Sequence, residues 1–159
     1  MPLNHLLTYL HDHLAGALAA VEIIDHIEVS HGDTAAGDVI RKLRTEILDD
    51  RNVLMGLIER LGDTAQSPRR IFGWLAEKSV ELKLKLDDPS GGALRLFESA
   101  ELLSLGIEGK ISLWYALDAG KQQAPPLQSL DYARLISRAR EQRAMLETVR
   151  LDAARAAFS

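Results

Sequence analysis

The chain has 159 residues, the length of one domain, and its 47% hydrophobic and 26% charged composition is that of a soluble globular protein. A net charge of −4, from 19 basic and 23 acidic residues, argues against a nucleic-acid partner, which would need a basic excess. Cysteine is absent, which excludes disulfides, thiolate metal sites and cysteine nucleophiles.

No apolar run approaches the ~18 residues of a membrane span. His, Asp and Glu recur through residues 1–28, so that stretch is no signal peptide. Aromatic residues make up only 5%, and Ala and Leu dominate the apolar set, which favours helix over sheet. The expectation is a cytoplasmic, all-α single domain over residues 1–159.

The first helix is predicted over about 3–29. Leu3, Leu7, Leu10, Leu14, Ala17, Val21 and Ile24 alternate steps of four and three, the seam of a helix in a bundle. Asp33 or Thr34 can cap the second, predicted over about 35–61, with Gly62 as its stop. Ile40, Leu43, Ile47, Leu54 and Leu57 form its stripe. Ser67-Pro68 opens a shorter third helix over about 68–86, which ends before Asp88-Pro89. The fourth is predicted over about 93–119. Its apolar residues spread around the axis, so it should be the most buried, and Gly106 and Gly109 should admit a close neighbour. Ala124-Pro125-Pro126 forms a turn, and the fifth helix is predicted over about 129–157.

Two long hairpins are thus joined by residues 63–90, which carry a helix of their own. At ~1.5 Å per residue the long helices are rods of ~40 Å, and the connection can travel most of that length back. The second and fourth predicted helices should then run parallel, as with the long crossover of some four-helix bundles.

Polar residues interrupt the stripes. In the row Leu6, Leu10, His13, Ala17, Ala20, Ile24, Ile27, only His13 is polar. Asp50 falls between Ile47 and Leu54, with Glu46 one turn before it. Gln142 is the one polar member of Leu135, Ala139, Gln142, Leu146, Val149, Ala153. Glu101 and Glu108 share a face beside Ala100, Leu103, Ile107 and Trp114. His13 and Asp50 are equidistant from the His31-Gly32 loop, and Glu108 and Gln142 from Pro125, so each hairpin sets polar groups at mid-length. Buried without partners they would cost several kcal/mol, so they should meet one another, water or an ion.

This architecture of two long hairpins, a long crossover and inward carboxylates resembles the ferritin-like superfamily. In its di-iron members two helices each supply a Glu and the other two each supply Glu-x-x-His. Here the second helix offers Glu46-Ile47-Leu48-Asp49, and the fifth Glu141-Gln142-Arg143-Ala144. All five histidines lie within the first 31 residues. Both Glu-x-x-His motifs are missing, so the resemblance implies a degenerate member without a di-iron centre. The function expected is a non-catalytic binding or assembly module with a buried polar layer and no cofactor. The candidate residues are His13, Glu46, Asp50, Glu101, Glu108 and Gln142.

The alternative is a metal-binding protein or metal-dependent oxidoreductase. It would hold Fe or Mn with one imidazole and several carboxylates from His13, Glu46, Asp49, Asp50 and Glu108. Within the leading reading, His13 and Asp50 should lie within hydrogen-bond or one-water distance, and Asp50 should raise the His13 pKa. Phe72, Trp74, Trp114 and Tyr115 suggest a homodimer. Residues 68–86, with Arg69, Arg70, Lys78, Lys83 and Lys85 against Glu77 and Glu81, are the one stretch suited to a membrane surface.

Overall fold

The computed structural model describes residues 3–63 and 92–159. The predicted helix over 68–86 and its surface role lie outside the described residues, as do Phe72 and Trp74. Four long helices account for nearly all the rest: α1 (Leu3–His31), α2 (Ala35–Arg60), α3 (Gly92–Gly120) and α4 (Tyr132–Phe158). Two short 3-10 turns, Lys121–Gln123 and Pro125–Ser129, precede α4. The protein is all-α, with no strand among the described residues.

Local chemistry sets the helix ends. Thr34 caps α2, its hydroxyl accepting from the Gly37 amide at 3.2 Å. At the other end Gly62 takes φ 84°, which only glycine adopts without cost. Its amide reaches the Glu59 carbonyl at 2.9 Å and the Asp63 amide reaches Ile58 at 3.4 Å, the paired bonds of a Schellman motif. The α4 helix begins later than predicted. Pro125-Pro126 directs the chain into a 3-10 turn, and the cap is Asp131, whose carboxylate accepts from the Arg134 amide at 3.1 Å. Tyr132 pins that turn by donating to the Leu127 carbonyl at 2.7 Å.

The apolar stripes close into two core clusters. One joins Ile23, Ile24 and Ile27 to Ile40, Leu43 and Ile47, to Leu96, Leu103 and Ile107, and to Leu146, Val149 and Ala153. The other joins Leu6, Leu10 and Leu14 to Leu54, Leu57 and Ile58, to Leu113, Trp114 and Leu117, and to Tyr132, Leu135 and Ile136. The end of α1 and the start of α2 and α3 therefore meet at one end of the bundle. The start of α1 and the end of α2 and α3 meet at the other. It follows that α2 and α3 run parallel, as expected, and Asp63 and Gly92 stand at opposite ends. Helix α1 packs on α2 and α3, and α4 on α3 and α2, so every packed neighbour is antiparallel.

Helix α3, expected to be the most buried, buries nine residues against seven or eight in each of the other long helices, although Leu94, Leu102, Leu105 and Tyr115 are exposed. One packing expectation is corrected: Gly106 and Gly109 do not admit a close neighbour, since a Cβ added at either would meet nothing within 4 Å. The glycines that do serve close approach are Gly32 and Gly37, where a Cβ would collide with the Glu28 and His31 carbonyl oxygens respectively. Trp114, offered as an interface residue, is fully buried in the chain's own core.

A candidate ligand site at mid-bundle

Between the two clusters the rows turn polar. Asp50 lies between Ile47 and Leu54 on α2 and is 3% exposed. Its Oδ2 accepts from Lys110 Nζ of α3 at 2.7 Å and from Gln142 Nε2 of α4 at 3.0 Å. Its Oδ1 accepts from Arg138 of α4. Lys110 also donates to Gln142 Oε1, which closes a triangle of Asp50, Lys110 and Gln142 across three helices. Gln142 is wholly buried, and the Lys110 and Arg138 side chains are 15% and 25% exposed. One carboxylate therefore stands against two cations. Burial lowers the Lys110 pKa below the usual lysine range, with Asp50 pulling the other way.

Beside this network lies a cavity of about 90 Å³. Helix α1 lines it with His13, Gly16, Ala17 and Ala20, and α2 with Ile47, Asp50, Arg51 and Leu54. Helix α3 contributes Leu103, Gly106, Ile107, Lys110, Leu113 and Trp114. Gly16 and Gly106 are exposed, and a Cβ at either would meet nothing within 4 Å, so these two glycines form its mouth. The wall is mainly apolar. Trp114 Nε1 and Arg51 Nε are buried with no hydrogen-bond partner.

The structure sorts the predicted site residues into three groups. His13, Asp50 and Gln142 gather at mid-bundle, as their rows foretold. Glu46 is half-buried nearby, and its charge reaches Lys110. Glu101, Glu108 and Asp49 are exposed rather than inward. Glu108 accepts from Arg143, and Glu101 from Arg150 at 3.3 Å. Among the described residues no group of three or more His, Asp or Glu side chains could hold a metal ion.

Of the two expected forms of the His13–Asp50 pair, direct or through one water, the direct one is absent. No hydrogen bond joins them, because Lys110, Arg138 and Gln142 take the carboxylate. His13 packs its ring edge-on against Tyr9 at 4.7 Å between centroids and faces the cavity. Burial lowers its pKa, outweighing the opposite pull of Asp12, where the sequence reading expected a rise. His11 forms the longer-range pair instead, 2.6 Å from Asp63, which ties α1 to the end of α2.

Lys110 is the residue that the sequence reading missed, yet its signal was present. It is the one polar member of Leu96, Ala100, Leu103, Ile107, Lys110, Trp114 and Leu117, which alternate steps of four and three. With His13, Asp50 and Gln142 it completes one polar side chain per helix. No protein-family model, no curated protein and no solved structure matches the chain.

Proposed function

We propose that the chain is a non-catalytic binding module built as a ferritin-like bundle, and that its ligand site is the mid-bundle cavity. The observation that carries this reading is an apolar cavity with an open mouth, set against a charged network and the unpartnered Trp114 Nε1. Replacing a buried ionic cluster by apolar residues is often neutral or stabilising, so stability alone does not account for the layer. The ferritin-like part of the proposal is supported by the parallel course of α2 and α3 and by Asp63 and Gly92 standing at opposite ends.

The test is a panel of small molecules of up to about six non-hydrogen atoms, the scale of this cavity. Binding is read from the indole N–H signals in ¹H–¹⁵N spectra and from thermal melts. At least one class should shift the Trp114 signal saturably and raise the melting temperature. Gly106→Leu, which narrows the mouth, should abolish both. A panel in which no class moves either readout would refute the binding-module reading.

A further inference from the structure

The cavity is uneven in its polar chemistry. Among the described residues, three donors there have hydrogens that no protein group accepts, while the His13 ring, kept neutral by burial, keeps one acceptor nitrogen at the α1 wall. A lysine ammonium has three hydrogens to give. Lys110 commits two, to Asp50 and Gln142. Trp114 Nε1, which can only donate, is buried without an acceptor, and so is Arg51 Nε. The one acidic side chain among the described residues of the wall, Asp50, already receives three hydrogen bonds. Charge points the same way. Lys110 and Arg51 line the wall against Asp50, and Arg138 covers the other oxygen of Asp50. Glu46 acts only from further out. The site therefore calls for an acceptor carrying negative charge.

Size and polarity narrow the class. The cavity's 90 Å³ is smaller than the ~150 Å³ closed void that admits benzene, but it is open at its mouth, so a ligand of about four to six non-hydrogen atoms can seat one end inside and leave the other at the mouth. Leu54, Leu103, Ile107 and Leu113 supply a wall against which a phosphate or sulfate, polar on every side, would leave its own oxygens unsatisfied. A group with one anionic end and one short apolar end matches both parts.

We propose that the cavity binds a short monocarboxylate of about two to four carbons. Its carboxylate meets Lys110 Nζ and Trp114 Nε1, and its alkyl end meets Leu103 and Ile107. This rests on the reading of the cavity as a binding site and adds the class of ligand. An anion at this point also relieves the burial that depresses the Lys110 ammonium.

The test uses the full chain, titrated at constant ionic strength with butyrate, 1-butanol, n-butylamine and octanoate. Binding is followed by the Trp114 indole N–H, identified as the signal that Trp74→Phe retains. Butyrate should bind at least tenfold more tightly than butanol or octanoate, and butylamine should produce no saturable shift. Lys110→Met should weaken butyrate at least tenfold and leave butanol unchanged. Should Lys110→Met fail to fold, Gly106→Leu serves: its added side chain meets no neighbour at the Cβ, and it should abolish butyrate binding with the helical spectrum intact. Equal affinity for butyrate and butanol overturns the carboxylate assignment while leaving the cavity a binding site. No shift with any of the four probes overturns both.

Discussion

Asp50→Ala is the substitution with the most to say about the mid-bundle layer. It deletes the acceptor of three hydrogen bonds from a position 3% exposed. Removing one partner of a buried ion pair costs about 3–5 kcal/mol, because the other charge stays buried alone. The structure favours the lower end. Arg138, a quarter exposed, can swing its guanidinium into water along its own stem. Lys110, at 15% exposure, keeps Gln142 as an acceptor. The expectation is therefore about 3 kcal/mol, which for a domain of this size is a fall of roughly 6–12 °C in Tm. Urea unfolding followed by far-ultraviolet circular dichroism measures it directly. The matched control is the triple variant Asp50→Leu, Lys110→Met, Gln142→Leu, which removes the three-helix triangle, leaves Arg138 free to turn to water, and should return to within about 1 kcal/mol of the parent. A loss under about 0.5 kcal/mol for Asp50→Ala would show that the network carries no buried charge and would refute the reasoning.

Burial holds the folded pKa of His13 below its unfolded value near 6.5, so its stabilising share is full above that pH and is lost as pH falls through the folded value. Urea unfolding at pH 7 and pH 5 should show a smaller loss for His13→Leu than for the parent; equal losses would count against it. Burial, helped by Asp118, pushes the Tyr132 pKa up to about 12, so its share is full below about 10 and is lost as pH rises through 12. Tyr132→Phe should cost about 1 kcal/mol at pH 7 through the lost bond to Leu127 and should flatten the alkaline decline; an unchanged decline would reject the role. Gly16→Ala should stabilise by roughly 0.5–1 kcal/mol, since a helical glycine is replaced where a Cβ meets nothing. Gly37→Ala should instead destabilise, because its Cβ would collide with the His31 carbonyl; thermal melts showing the same sign for both would contradict the packing described here.

The four helices were legible because alternating steps of three and four are a local property of the chain. The parallel course of α2 and α3 was legible from the length of the connection and the helical pattern of its sequence. The site was legible in part. His13, Asp50 and Gln142 each break an otherwise apolar row, so helix phase alone directs them inward. Lys110 breaks its row just as plainly but was passed over in a helix whose apolar residues extend to Leu105 and Tyr115 on the exposed side. With Lys110 unseen, Asp50 had only His13 for a partner at its level. The sign of the His13 shift followed that omission. Glu101 and Glu108 misled for a related reason: they flank the buried row by one position, and reach outward to arginines of α4 that sequence spacing does not reveal. Arg138 lies beside its helix's row rather than on it, so only the three-dimensional arrangement shows its bond to Asp50.

The charges of the Asp50 network are divided between the two hairpins. Its carboxylate comes from the α1–α2 hairpin, and both cations that hold it come from α3–α4. Two copies of the first hairpin packed face to face would bring carboxylate against carboxylate, and two copies of the second would set lysine and arginine against their own kind. Only the unlike halves neutralise each other. The apolar rows, being much alike, would tolerate either arrangement, so the network works as a key that rejects self-pairing of a half. Recognition between the hairpins is thereby written into their faces, and the segment joining them need only keep the two halves within reach of each other.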